Sequence, residues 1–154
     1  MTVRPLSVIL ATRVALALVV VAGVTTVLTW WREQDLLTSW AEGNAGARRI
    51  LRDGGLEAVE ASLAVPAFVP VAVTSFVVFT MLVGVLLAFF VEGFEWARIS
   101  LAVIALFGVF LAVVCVASGI PTLFVVMAVL IVVLCLALLV LLFHKDTHRF
   151  VRES

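Results

Sequence analysis

A run of 46 residues without Asp, Glu, Lys or Arg, from Ile99 to His144, limits the folds open to this chain. A helix that crosses the hydrocarbon core of a bilayer needs about 20 apolar residues, so the run is about twice that length. Residues 118–122, with the sequence SGIPT, lie near its middle, and glycine followed by proline favours a turn there. The run therefore predicts two membrane-spanning helices joined by a hairpin.

The composition agrees with a chain surrounded by lipid. It is 65% hydrophobic and 13% charged, and its mean hydropathy is +1.32. Soluble domains are about 45–50% apolar and about 25% charged, and a soluble core of this size could not bury so much apolar surface. The formal net charge of zero gives no indication of nucleic-acid binding. Arginine outnumbers lysine nine to one, which indicates a GC-rich bacterial genome.

Two further uncharged runs, residues 14–31 and 61–91, predict two more spans. A secretory signal is the alternative for the first run, because Arg4 and Arg13 precede it. We favour a span, because the run is too long and no small-x-small cleavage site precedes a polar domain. The predicted spans are about 6–31, 68–90, 97–118 and 121–143. Trp30, Trp31 and Trp96 are predicted anchors at the membrane–water interface.

Residues 32–65 form the only long polar segment, with six acidic and four basic side chains. Apolar residues recur in it at helical spacing, so we expect short amphipathic helices that lie on the bilayer surface. About 34 residues are too few for a core of their own. A ligand-binding cap is the alternative to a lid that shields the helix ends. We favour the lid, because the segment contains no ligand-binding motif.

These elements predict an all-α fold: a four-helix integral membrane bundle, up-down-up-down, formed by residues 1–154 as one domain. Four spans place both termini and the 91–98 loop on one side. Because basic residues favour the cytoplasmic side, we expect cytoplasmic termini in the cell membrane, a cytoplasmic tail at 144–154 and an extracytoplasmic 32–65 segment. The side with the termini carries six basic residues, and the other side carries four. The six are Arg4, Arg13, Arg98, Lys145, Arg149 and Arg152.

Two stripes of small residues are predicted to bring the second and third spans together, because small side chains let helix backbones approach closely. The first is Thr80, Gly84 and Ala88, and the second is Ala105, Gly108 and Ala112, extended by Cys115.

Charged residues at the predicted cytoplasmic end form a candidate structural cluster: Arg13, Glu92, Glu95 and Arg98. We expect Arg13 to pair with Glu92 or Glu95 and so to hold the first span against the second hairpin. The alternative is that the Arg13 guanidinium extends to the nearby membrane–water interface.

The sequence contains no recognisable catalytic, cofactor-binding or metal-binding motif, and we expect no enzyme activity. The predicted spans lack the deep carboxylate of small exporters and the residues of intramembrane proteases. Cys115 and Cys135 are predicted at different membrane depths, too far apart for a disulfide. His144 and His148 are four residues apart, but with few further ligands nearby a solvated helix end is the favoured interpretation.

Residues 93–99, with the sequence GFEWARI, open the third predicted span. This segment resembles a pattern in small four-helix membrane proteins of actinobacteria. Those proteins are also similar in layout, with a first span, a short external helical segment, a hairpin around Trp-Ala-Arg and a basic tail. The resemblance implies a fold but no activity. In physical terms, Trp96 would anchor at headgroup depth and Arg98 would point to cytoplasmic phosphates.

Three functions are compatible with these features. The favoured hypothesis is a non-catalytic accessory, assembly or scaffold subunit that binds another membrane protein, or itself, within the lipid bilayer. A small oligomeric channel or carrier is the second, with a pore formed by hydroxyl side chains. The third is an envelope sensor that uses residues 32–65. The candidate pore residues are Thr25, Thr26, Thr29, Thr74, Ser75 and Thr80.

Overall fold

The computed structural model describes residues 5–62 and 65–153, and all of its regular secondary structure within those ranges is helical. Arg4 lies outside the described residues, as do the side chains of His148, Arg149 and Arg152. The helices are α1 (Leu6–Trp31), α2 (Glu33–Gly43), α3 (Ala45–Ser62), α4 (Phe68–Val91), α5 (Glu95–Ala117), α6 (Thr122–Leu142) and α7 (Lys145–Glu153).

Four of these helices, α1, α4, α5 and α6, are long and apolar enough to cross a membrane. They have 26, 24, 23 and 21 residues, so each matches the roughly 20 residues that a bilayer core requires. The predictions of an all-helical chain and of four such helices are confirmed. The third begins at Glu95, two residues before the predicted start, because Phe94 ends the preceding turn with extended backbone.

The four long helices pack in a ring, in which α1 contacts α4 and α6, and α5 contacts the same two helices. Each helix buries one narrow stripe. On α1 the buried residues include Val8, Ala11, Ala15 and Leu18, whose spacing of three, four and three matches one face of a helix. Most other apolar side chains of the four helices point outward and are exposed.

Glycines with positive φ shape the two short turns between long helices. Gly93, with φ of 96°, follows α4, and its N–H donates to the Phe90 carbonyl at 3.1 Å. Gly119, with φ of 73°, lies in the turn between α5 and α6. Both backbones occupy the left-handed region that glycine adopts without steric cost. The predicted hairpin at residues 118–122 is therefore a two-helix turn stabilised by backbone geometry.

The helices α2 and α3 pack on each other around a small apolar cluster of their own. Ala41, Ala47 and Val59 are buried in it, and α2 also contacts α1 and α4. The Asn44 Oδ1 accepts the Gly46 N–H at 3.0 Å and so caps the start of α3. Gly55, with φ of 73°, bends α3 near its middle. The 32–65 segment is thus mainly a pair of short helices attached to the bundle.

Candidate functional site

The charged cluster predicted at residues 13 and 92–98 is only partly assembled. Arg98 Nη2 donates to Glu95 Oε1 at 2.9 Å, one helical turn apart on α5. The Arg98 side chain is 8% exposed, whereas that of Glu95 is 51% exposed. Arg98 follows Ala97, which is fully buried, and precedes Leu101, which is 1% exposed. The guanidinium is therefore held at the edge of the apolar core by a partner that reaches into solvent.

Arg13 does not join this pair. Its side chain is exposed, and within residues 5–62 and 65–153 the ion pairs do not include it or Glu92. Helical geometry explains the separation, because Arg13 lies about 180° around α1 from the buried stripe at Ala11, Ala15 and Leu18. Arg13 thus points away from the bundle, whereas Glu95 is already bonded to Arg98.

A second polar contact, which the sequence analysis did not identify, lies in the same bundle. Thr147 is completely buried, and its Oγ1 lies 2.8 Å from Ser7 Oγ and 2.8 Å from the Leu141 carbonyl. One hydroxyl carries a single proton, so when Leu141 accepts it the Ser7 hydroxyl donates to Thr147. This contact joins residues 140 positions apart.

The contact attaches α7 to the first turn of α1. Thr147 and Val151, four residues apart on α7, are both buried, and Phe150 packs against the main core. Val8, which follows Ser7, and Leu142, the last residue of α6, are both fully buried. The i, i+4 pair of Thr147 and Val151 was visible in the sequence, but a threonine in a charged tail gave no reason to expect burial.

The two small-residue stripes point in different directions. Ala105 and Ala112 of α5 are buried, and a Cβ added to Gly108 would lie 3.1 Å from Cys135 Sγ of α6. At Gly108 the α5 stripe therefore packs on α6, although α5 also contacts α4, which corrects the predicted contact of this glycine with the α4 stripe. Cys115, at the other end of that stripe, is exposed. Cys115 and Cys135 are both free thiols.

The α4 stripe lies at the outer side of its helix. Gly84 and Ala88 are exposed, and among the described residues no atom of another helix lies within 4 Å of a Cβ added to Gly84. The inner face of α4 is instead formed by Val83, Leu86, Leu87 and Phe90. Thr80 lies at the border between these two faces, and its buried Oγ1 has no hydrogen-bond partner within the described ranges.

The hydroxyls proposed above as pore-lining residues do not share a common interior. Those of Thr25, Thr26 and Thr29 donate to carbonyls four residues earlier on α1, at 2.8 to 2.9 Å. Thr74 and Ser75 are exposed on α4. Backbone carbonyls of the same helix are the usual partners of such hydroxyls in membrane helices.

An open cleft of about 700 Å³ lies where α1 ends and α2 begins, beside the first turn of α6. This volume is within the range of small-molecule sites, about 300–1,000 Å³. Arg32 Nη1 donates to Asp35 Oδ2 at 2.8 Å, and both side chains are about half exposed. The lining residues are Leu28, Trp30, Trp31, Arg32, Glu33, Gln34, Asp35 and Leu123.

The tryptophans differ in their surroundings. Trp30 and Trp31 are 71% and 80% exposed at the end of α1. Trp96, at the start of α5, lies against Phe89 with ring centroids 5.0 Å apart, and Phe89 also contacts Phe94 edge-on. All three predicted anchors are thus in the terminal turns of candidate spans, and among the described residues Trp96 alone of the three contacts neighbouring rings.

The described residues include no group of three or more His, Cys, Asp or Glu side chains that could hold a metal ion. His144 Nδ1 lies 3.4 Å from Asp146 Oδ2, in the turn before α7.

Comparisons with family models, with curated proteins and with solved structures find no match to this chain.

The arginines at positions 98 and 13 form a matched pair for mutagenesis. We expect Arg98→Gln to lower the free energy of unfolding in detergent by about 1–3 kcal/mol, because it removes a buried charged donor and its packed stem. Arg13→Gln should change it by less than about 0.5 kcal/mol, as for other exposed positions. Denaturant titration followed by circular dichroism measures both. Equal losses of unfolding free energy in the two variants would contradict a buried, paired Arg98 and an exposed Arg13.

The Ser7–Thr147 contact can be tested by a double-mutant cycle. Thr147→Val keeps the shape but removes both hydrogen bonds, and should cost about 1–2 kcal/mol. Once Thr147 is replaced, Ser7→Ala should add almost nothing, so the double variant should resemble Thr147→Val alone. Unfolding free energies of the four proteins provide the coupling energy. Strict additivity of the two substitutions would mean that the hydroxyls do not interact.

Proposed function

We propose that this chain is a non-catalytic multi-pass membrane protein that serves as an accessory, assembly or scaffold subunit of a larger membrane complex. The observation that carries the proposal is the α4 stripe, in which Gly84 and Ala88 are exposed and Thr80 lies at the border with the inner face. A small-residue stripe lets a second helix approach closely in lipid. Since none of the described residues of the other helices comes within 4 Å of a Cβ added to Gly84, this surface is available to a helix of another membrane protein.

The packing of the bundle supports this function over a pore within one chain. The ring of α1, α4, α5 and α6 is filled by apolar side chains, such as Leu86, Leu101 and Leu138. Three of the candidate pore hydroxyls are used by carbonyls of their own helix. A pore would therefore have to form between several chains, from the outward helix surfaces, which are apolar.

We further propose the up-down-up-down arrangement with cytoplasmic termini and an extracytoplasmic 32–65 segment. The excess of basic residues on the side of the termini supports this orientation. The attachment of α7 to the first turn of α1 supports an even number of crossings, since it brings these two segments to the same end of the bundle.

Cysteine labelling tests this orientation. In a Cys115→Ala, Cys135→Ala background, single cysteines would replace two exposed residues, Glu57 in α3 and Asp146 in α7. A maleimide that does not cross membranes should label Glu57→Cys in intact cells and Asp146→Cys only after lysis. The reverse labelling pattern would mean that the orientation is opposite to the one proposed. Labelling of both cysteines in intact cells would contradict an even number of crossings.

The partner proposal is tested by affinity purification from native membranes and quantitative mass spectrometry. The wild-type chain should retain a stoichiometric membrane protein. Gly84→Leu should reduce that protein about tenfold or more, because the added side chain prevents close approach of a second helix. Val85→Leu, at a 53% exposed neighbouring position, is the matched control and should retain it.

Equal recovery with Gly84→Leu would overturn the role of the α4 stripe. Recovery of only the chain itself, as an oligomer that conducts ions in liposomes, would favour the channel instead. Unfolding measurements on both variants must match the wild type, which the open space around Gly84 leads us to expect.

A further inference from the structure

The cleft between α1, α2 and α6 combines three kinds of chemistry in one place. Trp30 and Trp31 contribute two indole rings, which attract cations through their faces and pack against apolar groups. Glu33 and Asp35 contribute carboxylates, and Arg32 a guanidinium. Rings and carboxylates favour an ammonium group, whereas a guanidinium favours a phosphate. The lining therefore complements a molecule that carries both charges.

The distribution of charge in the cleft favours the ammonium end. Arg32 is paired with Asp35, so these two charges offset each other. Glu33 is half-buried and makes no ion pair within the described residues. With one cation and two carboxylates, the cleft has a local charge of −1. A wholly anionic ligand would be repelled by it, whereas a zwitterion can place its cation beside Glu33.

The arginine can still contact a phosphate while it holds Asp35. A guanidinium has five N–H donors, and the bond to Asp35 uses Nη1. The Arg32 side chain is 55% exposed, so its other donors are accessible. Gln34, which is exposed in the same cleft, adds an amide oxygen that can accept from a primary ammonium.

The position of the cleft identifies the molecule that would reach it. Leu28, Trp30 and Trp31 belong to the last turn of one candidate span, and Leu123 to the first turn of another. Tryptophans at such helix ends lie at the level of the lipid headgroups. Leu28 and Leu123 thus connect the cleft to the apolar outer surfaces of α1 and α6. The polar residues of the cleft begin at Arg32, at the expected level of the lipid headgroups.

We propose that this cleft binds the headgroup of an amine-bearing zwitterionic phospholipid of the phosphatidylethanolamine class. The ammonium group lies beside Glu33 and the indole faces, and the phosphate contacts Arg32. The acyl chains continue along Leu28 and Leu123. A primary ammonium donates three hydrogen bonds, so Glu33 and Gln34 distinguish it from a trimethylated choline headgroup. This site is independent of the α4 stripe and does not rest on the proposed subunit function.

Brominated lipids provide the test, because they quench nearby tryptophans. The full chain with Trp40→Phe and Trp96→Phe, which leaves only the two cleft tryptophans, is placed in phosphatidylcholine vesicles. Brominated phosphatidylethanolamine or brominated phosphatidylglycerol is then added in increasing mole fraction. We expect the ethanolamine lipid to bind about three- to fivefold more strongly than the glycerol lipid, as weak cation–π and ionic contacts allow.

Glu33→Gln should reduce this preference to about one, because it removes the carboxylate that receives the ammonium group. Glu57→Gln, a carboxylate in α3 that does not line the cleft, is the matched control and should leave the preference unchanged. Soluble glycerophosphoethanolamine should compete poorly, because it lacks acyl chains. Equal binding of the two lipids by the wild type, equal effects of the two substitutions, or full competition by the soluble headgroup would overturn the proposal.

Discussion

Close packing of side chains along one narrow stripe of each long helix is the interaction on which this structure depends. Burial of apolar area stabilises helix association in water, but lipid is as apolar as leucine, so contact quality matters instead. The ring is closed where small groups allow it, at Ala11 and Ala15 of α1 and at Ala105 and Gly108 of α5, opposite Cys135. The larger outward residues of the same helices contribute solubility in the bilayer rather than adhesion.

This constraint explains which parts of the structure were predictable. Long uncharged runs predict spanning helices, and glycine with proline predicts the turns between them. The four candidate spans could therefore be located from residues 14–31, 61–91 and 99–144. The inner face of each helix was harder, because apolar residues surround it on all sides. The Gly84 stripe resembles the Gly108 stripe in sequence, yet α4 turns it outward and packs Leu86 and Phe90 inward.

The polar contacts show a related limit. Arg98 and Glu95 are one helical turn apart, and such local pairs can be read from spacing alone. The Ser7–Thr147 contact depends on how α7 packs against α1, and no local pattern encodes it. Arg13 failed to meet its predicted partner for the same reason. The rotation of α1 decides where that side chain points, and in this rotation the buried stripe of Val8, Ala11, Ala15 and Leu18 faces the bundle.

The two ends of the bundle differ in a way that follows from these contacts. At one end, α7 covers the first turn of α1, and its buried hydroxyl is satisfied by Ser7 and Leu141. At the other, α1 leads directly into α2 at Arg32, and although α2 contacts α1 and α4, Trp30 and Trp31 remain exposed beside charged side chains. Exposed tryptophans beside charged side chains at a helix end are a surface of mixed polarity, which suits the lipid headgroup region. The proposed preference for one class of lipid headgroup would therefore depend on the exposed tryptophans and charged side chains at this end.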